Sequence, residues 1–353
     1  MVDTMTICHS FKSYEDYKEI FKTIREQAKR INPAQPLHTE NGKQITYAFA
    51  GYGISEWVFK KNRRIYIKLR PKLMIESGNY DDVLNVYDIP ELYKKFKNIM
   101  NELNVSGIAD LRIWQVKRID YAVDIIVQQE MIPAYIKLFH KGNIRELLLS
   151  GDTSRRYKDA GNNLYLVSGN CCVNFYDRYT TSCLKRNKNP DKYKNADNRY
   201  GTLRFEIQLR KPNVSKMKKR RLIRNNTVSD FLDISICKYY ILKYYDEIIG
   251  KGDYYPYYEA LSRCKSDVRK NTLCFIHNEG SVHKAKETFI NQGDNKRKRS
   301  KQFSKLINSL EKAGINPVTT DGAHIENLYD KLLYAIEGSN RFQIKRRKIH
   351  NER

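Results

Sequence analysis

No run of about 18 or more apolar residues occurs in the chain of 353, so the sequence offers no membrane-spanning helix. The opening Met1-Val2-Asp3-Thr4 lacks a secretory-signal pattern, and a soluble cytosolic protein is the expectation. The seven cysteines are odd in number and scattered, and the neighbours Cys171 and Cys172 would point to opposite faces of a strand, so no disulfide framework is suggested. Cys-x-x-Cys, His-Glu-x-x-His and His-x-His are all missing, which excludes the usual zinc spacings. Any metal must then be held mainly by oxygen, which favours magnesium or manganese. A Gly-x-x-x-x-Gly-Lys-Ser/Thr loop is absent too, so any ATP-driven step would fall to another protein. Acid is in short supply: 40 Asp and Glu face 65 Lys and Arg, a formal charge of +25. Such a surplus repels itself unless a polyanion is the working partner, and nucleic acid is the expected one.

What is present reads as a folded α+β protein. Apolar residues make up 41% and aromatics 12% of the chain. Ser13 to Ile31 carries Tyr17, Ile20, Phe21, Ile24, Ala28 and Ile31 at helical spacing, with Ser13 and Asp16 as a capping box and Pro33 as the stop. Trp57 to Phe59 and Ile65 to Leu69 are predicted strands joined by the basic turn Lys60 to Arg64. A second helix is predicted from Asp88, with Pro90 in its first turn. A long strand Leu111 to Val127, a helix Met131 to His140, a hairpin Leu164 to Arg178 turning at Ser168-Gly169-Asn170, and an alternating strand Leu203 to Lys211 follow. This succession predicts an antiparallel sheet with packed helices over residues 1–214. Beyond it, residues 215–353 read as basic and mostly helical, with long helices Val228 to Ile249 and Ser300 to Ala313 and a mobile tail around Lys345 to Lys348.

Three short blocks carry candidate chemistry: Arg118-Ile119-Asp120, Asn174-Phe175-Tyr176-Asp177-Arg178 and Arg204-Phe205-Glu206. Residues two apart on a strand share a face, so Arg118 projects with Asp120 and Arg204 with Glu206. If those strands are neighbours, Asp120 and Glu206 can hold a divalent ion while the arginines contact phosphate. The same spacing equally suits a cross-strand lattice of salt bridges. Asp124 shares the parity of Asp120 but lies roughly 13 Å along the strand, and ranks second as a ligand. Tyr176 ends the hairpin. A phenol with an ordinary pKa near 10 is a poor nucleophile at neutral pH and needs positive charge close by, which Arg178, Lys185 and Arg186 can supply. Among 26 tyrosines spacing does not single it out, and Tyr179 is the natural competitor. The tyrosine pairs from Tyr239 to Tyr258 suit either base stacking or core packing. The clusters Lys216, Lys218, Lys219, Arg220, Arg221 and Lys296 to Lys301 read as phosphate contacts or as a plain solvated surface.

The order of these blocks resembles the gene II and gene X replication initiators of filamentous phages and their plasmid and integrated-element relatives. The matching segments are Lys117-Arg118-Ile119-Asp120, Val173-Asn174-Phe175-Tyr176 and Leu203-Arg204-Phe205-Glu206-Ile207, with weaker similarity at Tyr66 to Pro71 and Ala313 to Pro317. The resemblance implies a rolling-circle nickase working in a host cell's cytoplasm, with Tyr176 as nucleophile, Asp120, Glu206 and Asp124 as metal candidates, and a host helicase and polymerase as partners. The paired-histidine metal motif of the wider rolling-circle superfamily is missing here. Conjugative relaxases and transposases share the phosphotyrosine step, and a basic DNA-binding regulator without chemistry shares the composition. No RNA-recognition signature is present.

Overall fold

The computed structural model describes residues 1–31, 37–38, 44–60, 62–144, 163–167, 171–210 and 214–338. The turn 168–170 and the tail around 345–348 lie outside the described residues. Nine strands form one sheet: β1 (Val2–Ser10), β2 (Leu37–His38), β3 (Gln44–Phe49), β4 (Ile54–Lys60), β5 (Arg64–Leu69), β6 (Gln115–Ile126), β7 (Asn163–Val167), β8 (Cys171–Asp177) and β9 (Thr202–Leu209). Their order is β2-β3-β4-β5-β1-β6-β9-β8-β7, and every neighbouring pair is antiparallel. The last strand in sequence is thus inserted between β6 and β8, which brings together blocks more than 80 residues apart.

Alternation explains why the centre of this sheet has an oily face and a polar one. Ile119, Tyr121, Val123, Phe175, Leu203, Phe205 and Ile207 are all buried on one side. Phe175 and Phe205 stack there with centroids 4.1 Å apart, a contact worth about 0.5–1.5 kcal/mol beyond area burial. Of the helices that precede the hairpin, α1 (Tyr14–Ile31), α2 (Pro71–Ile75), α3 (Ile89–Glu102) and α4 (Ile132–His140), α4 covers that side and lays Phe139 on Phe175. α5 (Arg178–Lys188) follows Tyr176 directly and packs against β8 and β9. Asp177 starts it by accepting from the Thr180 amide.

After α6 (Val214–Lys219), the predicted long helix from Val228 is broken into α7 (Val228–Phe231) and α8 (Ile234–Ile248). Asp233 is the physical cause, because its carboxylate accepts from the Ser235 amide and starts a new helix. α8 packs Tyr245 against Phe175 and Phe205, and the Tyr121 hydroxyl donates to the Phe231 carbonyl, so the core is continuous across residue 214. The remainder is helical: α9 (Tyr257–Arg263), α10 (Asp267–Glu279), α11 (Val282–Asn291), α12 (Lys296–Glu311) and α13 (Tyr329–Gly338). α12 begins four residues before the predicted Ser300, because Asn295 caps it through the Lys298 amide. Among the described residues no helix is long and apolar enough to cross a membrane.

Candidate functional site

The polar face of β6, β9 and β8 forms the floor of the site. Tyr176 pairs with Arg204, which pairs with Asp124; Asn174 pairs with Glu206, which pairs with Ala122; Cys172 pairs with Gln208, which pairs with Asp120. The three blocks therefore lie on adjacent strands with their functional side chains on one face. α5 and residues Arg70 and Tyr80 wall off a cavity of about 470 Å³ over this floor. Tyr176, Glu206, Arg204, Asn174 and Arg178 line it together with Asp3 and Lys185.

Tyr176 donates to Glu206 Oε2 at 3.4 Å. Burial raises its phenol well above the ordinary value; Arg204 works against that rise and Glu206 adds to it. Glu206 is itself pushed up to about 7, first by burial and then by the charges of Asp3 and Asp120, with Arg204 and Arg178 opposing. A phenol bonded to a carboxylate poised near neutrality has a proton acceptor in place. Tyr80 and Tyr165 also line the cavity, and it is Tyr176 that donates to Glu206. Tyr179 lies outside the lining, with its ring 5.3 Å from that of Tyr200.

Other expected site residues have different roles. Asp124, ranked as a metal candidate, is gripped at two points by Arg204, with Nε to Oδ1 at 2.5 Å and Nη2 to Oδ2 at 2.8 Å. Burial would raise its carboxyl, but the Arg204 charge prevails and holds it at about 2. Asp120 is gripped likewise by Arg118, at 2.9 and 2.6 Å. Its carboxyl is raised because burial outweighs that arginine. Neither acid lines the cavity. Asp124 is thus paired across strands with Arg204 and Asp120 within β6 with Arg118, and of the three acids singled out in the sequence only Glu206 lines the cavity.

Arg204 and Arg178, expected as DNA-contacting residues, are 1% and 2% exposed. Arg178 donates to the Asp81 carbonyl and carboxylate, while Arg204 adds a 3.3 Å bond to the same carbonyl. Both still line the cavity, and the buried Arg178 Nε has no hydrogen-bond partner among the described residues. Lys218, Lys219, Arg220 and Arg221 are exposed and outside it, and the side chain of Lys216 lies outside the described residues. Tyr240, Tyr245 and Tyr254 are core residues.

Sequence reasoning missed Asp3, Asp81 and Arg70. A bulge between Val2 and Thr4 inserts Asp3 into the β1 edge facing β6, which re-aims its carboxylate toward Arg204, 3.8 Å away. Nothing in the local sequence marks that bulge. Asn174 was within reach, since it shares the parity of Tyr176. Among the described residues no three His, Cys, Asp or Glu side chains converge as a metal-ligand group. Asp3 and Glu206 do form a like-charge pair on the cavity wall. That donor set fits a magnesium-type ion, which is commonly held by one or two carboxylates with phosphate and water completing its shell.

No family model matches the chain and no curated protein matches it. Among solved structures it is similar to a rolling-circle replication initiator protein from Geobacillus stearothermophilus, at 14% identity and a TM-score of 0.26, over 62% of this chain and 77% of that one.

Proposed function

We propose that the protein nicks and rejoins one DNA strand at a replication origin through a phosphotyrosine intermediate. The observation that supports this reading is the Tyr176–Glu206 hydrogen bond inside a cavity walled by Arg70, Arg178, Lys185 and Arg204. A phosphodiester lying there would meet positive charge on several sides. Tyr176 Oη attacks phosphorus, its proton passes to Glu206, and the bond from phosphorus to the 3′ oxygen breaks. The leaving oxygen takes a proton from water, so a 5′ phosphotyrosyl end and a free 3′ hydroxyl result. The reverse reaction rejoins the strand without a nucleotide triphosphate. A magnesium or manganese ion, if bound, would be held by Glu206 and Asp3 and would supply charge to the nonbridging oxygens. Extension of the free 3′ end and unwinding are assigned to a host polymerase and helicase.

The direct test is to incubate the protein with a supercoiled plasmid carrying its own gene and flanking DNA, digest the product, and locate the nucleotide-bearing residue. The tryptic peptide 159–178 holds both Tyr165 and Tyr176, so fragmentation of the adduct must separate them. An adduct on any residue other than Tyr176, or no adduct, defeats the proposal.

Glu206 gives a second expectation with a definite sign. As a base it must be ionised, so the nicking rate rises with pH through about 7. Glu206→Gln removes that ascending limb and slows nicking by about 10²- to 10⁴-fold. For stability the sign is opposite. The unfolded chain ionises this group near 4.5 and the folded one near 7, so its contribution to stability is full below 4.5 and is lost as pH rises through 7. At pH 8 the Gln variant is therefore expected to be more stable than the parent by about 1–3 kcal/mol, with no gain at pH 4. Denaturant melts at the two pH values decide it, and equal stability differences at both would remove the strained-acid account.

A further inference from the structure

Three helices of the C-terminal part form a unit that the cavity chemistry does not use. α10, α11 and α12 share a small core of Leu273, Ile276, Val282, Ala285, Phe303 and Leu310. α11 and α12 are joined by the four residues Gln292-Gly293-Asp294-Asn295, the connection length and glycine content of a helix-turn-helix. Gly293 has a specific reason to be there, since a Cβ would meet Arg299 Cδ at 2.8 Å. That room lets Arg299 fold back, set its guanidinium over the Phe289 ring at 4.2 Å and donate to the Phe289 carbonyl at 2.6 Å, which pins the start of α12 to α11.

With Arg299 committed, Lys296, Arg297, Lys298, Lys301 and Lys305 remain exposed on α12, and none is in an ion pair among the described residues. Lys298, Lys301 and Lys305, with Gln302 and Asn308 beside them, make a stripe at helical spacing on the side away from Phe303 and Leu310. Cations in the first turns of a helix oppose its macrodipole, whose positive end lies there. An isolated fold gains nothing from this arrangement, whereas a polyanion laid along the helix reverses its sign.

We propose that the outward face of α12 docks in the major groove of duplex DNA as a second nucleic-acid surface, separate from the Tyr176 cavity. A 16-residue helix is about 24 Å long and a major groove is about 12 Å wide, so one turn of duplex accommodates it. Duplex rather than single strand is favoured because the stripe is flanked by hydrogen-bonding Gln302, Ser304 and Asn308 and carries no aromatic ring on which an unpaired base could stack. The inference rests on the reading of the protein as DNA-acting, but its test involves no cleavage.

The test measures binding of the full chain to a 40-base-pair duplex and to a 40-nucleotide single strand, in EDTA, as a function of salt. The variant Lys298→Gln/Lys301→Gln/Lys305→Gln is compared with the parent and with Lys22→Gln/Lys29→Gln/Lys97→Gln, which removes the same charge from exposed positions on α1 and α3. Circular dichroism melts establish that each is folded. The expected result is a fall of about 3 in the salt slope for duplex in the α12 variant alone, with single-strand binding retained. An equal fall in the α1/α3 variant would mean generic charge, and a greater loss of single-strand than duplex binding would mean a single-strand groove; either overturns the proposal. Failure of the Tyr176 adduct with this result intact would remove the nickase reading and leave the docking surface standing.

Discussion

Tyr176→Phe is expected to abolish the covalent protein–DNA adduct and to reduce nicking of a supercoiled origin plasmid by on the order of 10⁴-fold or more. The argument is local. The substitution deletes one oxygen, and that oxygen makes a single 3.4 Å bond to Glu206. The ring keeps its place on β8 opposite Arg204, and the adjacent Phe175 remains stacked on Phe205. Stability should therefore change by no more than about 1 kcal/mol, the value of one ordinary hydrogen bond. Duplex binding should be nearly unchanged. Gel-resolved nicking and a denaturing gel for the adduct read the two chemical outcomes, and a variant that still forms the adduct would move the nucleophile to Tyr165 or Tyr80.

Arg204→Met should produce the largest loss of stability of any single change at the site, about 3–5 kcal/mol at pH 7. Arg204 is 1% exposed and is the two-point partner of Asp124, a neighbour of Asp3 and a donor to the Asp81 carbonyl. Removing it leaves Asp124 as a carboxylate without its partner. Lysine is not an adequate replacement, because an ammonium cannot reproduce the parallel Nε and Nη2 bonds. The pH dependence follows from the depressed Asp124 carboxyl. Its folded value of about 2 lies below the ordinary 3.8, so its stabilisation is present above 3.8 and disappears as pH falls toward 2. The parent should lose this increment in acid, and the Met variant should have none to lose. Denaturant melts of Arg204→Met, Asp124→Asn and the double variant measure the coupling directly, and a loss under 1 kcal/mol for Arg204→Met would mean that the pair does not hold the floor of the cavity together.

Much of the architecture is written in local pattern. The Ser13 cap and apolar stripe of α1, the alternation of β9 and the first-turn Pro90 of α3 each specify their own element, because propensity, periodicity and caps act over a few residues. Where a competing local signal was overlooked, the expectation slipped: Asp233 divides α7 from α8, and Asn295 starts α12 early enough to place the basic run on a helix. Strand parity likewise placed Tyr176, Arg204, Glu206, Asp120 and Asp124 on one face of their strands. Parity could not say which acid each arginine would take.

The sequence by itself determined an α+β chain of strong positive charge, without the histidine and cysteine spacings of a zinc site, carrying a phenol and acids on strands of matching phase. Only the tertiary structure decided how those groups divide. Inserting β9 between β6 and β8 gave Asp124 to Arg204 and left Glu206 beside the Tyr176 hydroxyl; Asp3, after its bulge, and α5 contribute the walls of the open cavity over Tyr176 and Glu206. The reason is one of range. Periodicity and capping are set by neighbours along the chain, whereas the partner of a buried charge, and with it the pKa of the acid left over, is set by whichever strand lies alongside.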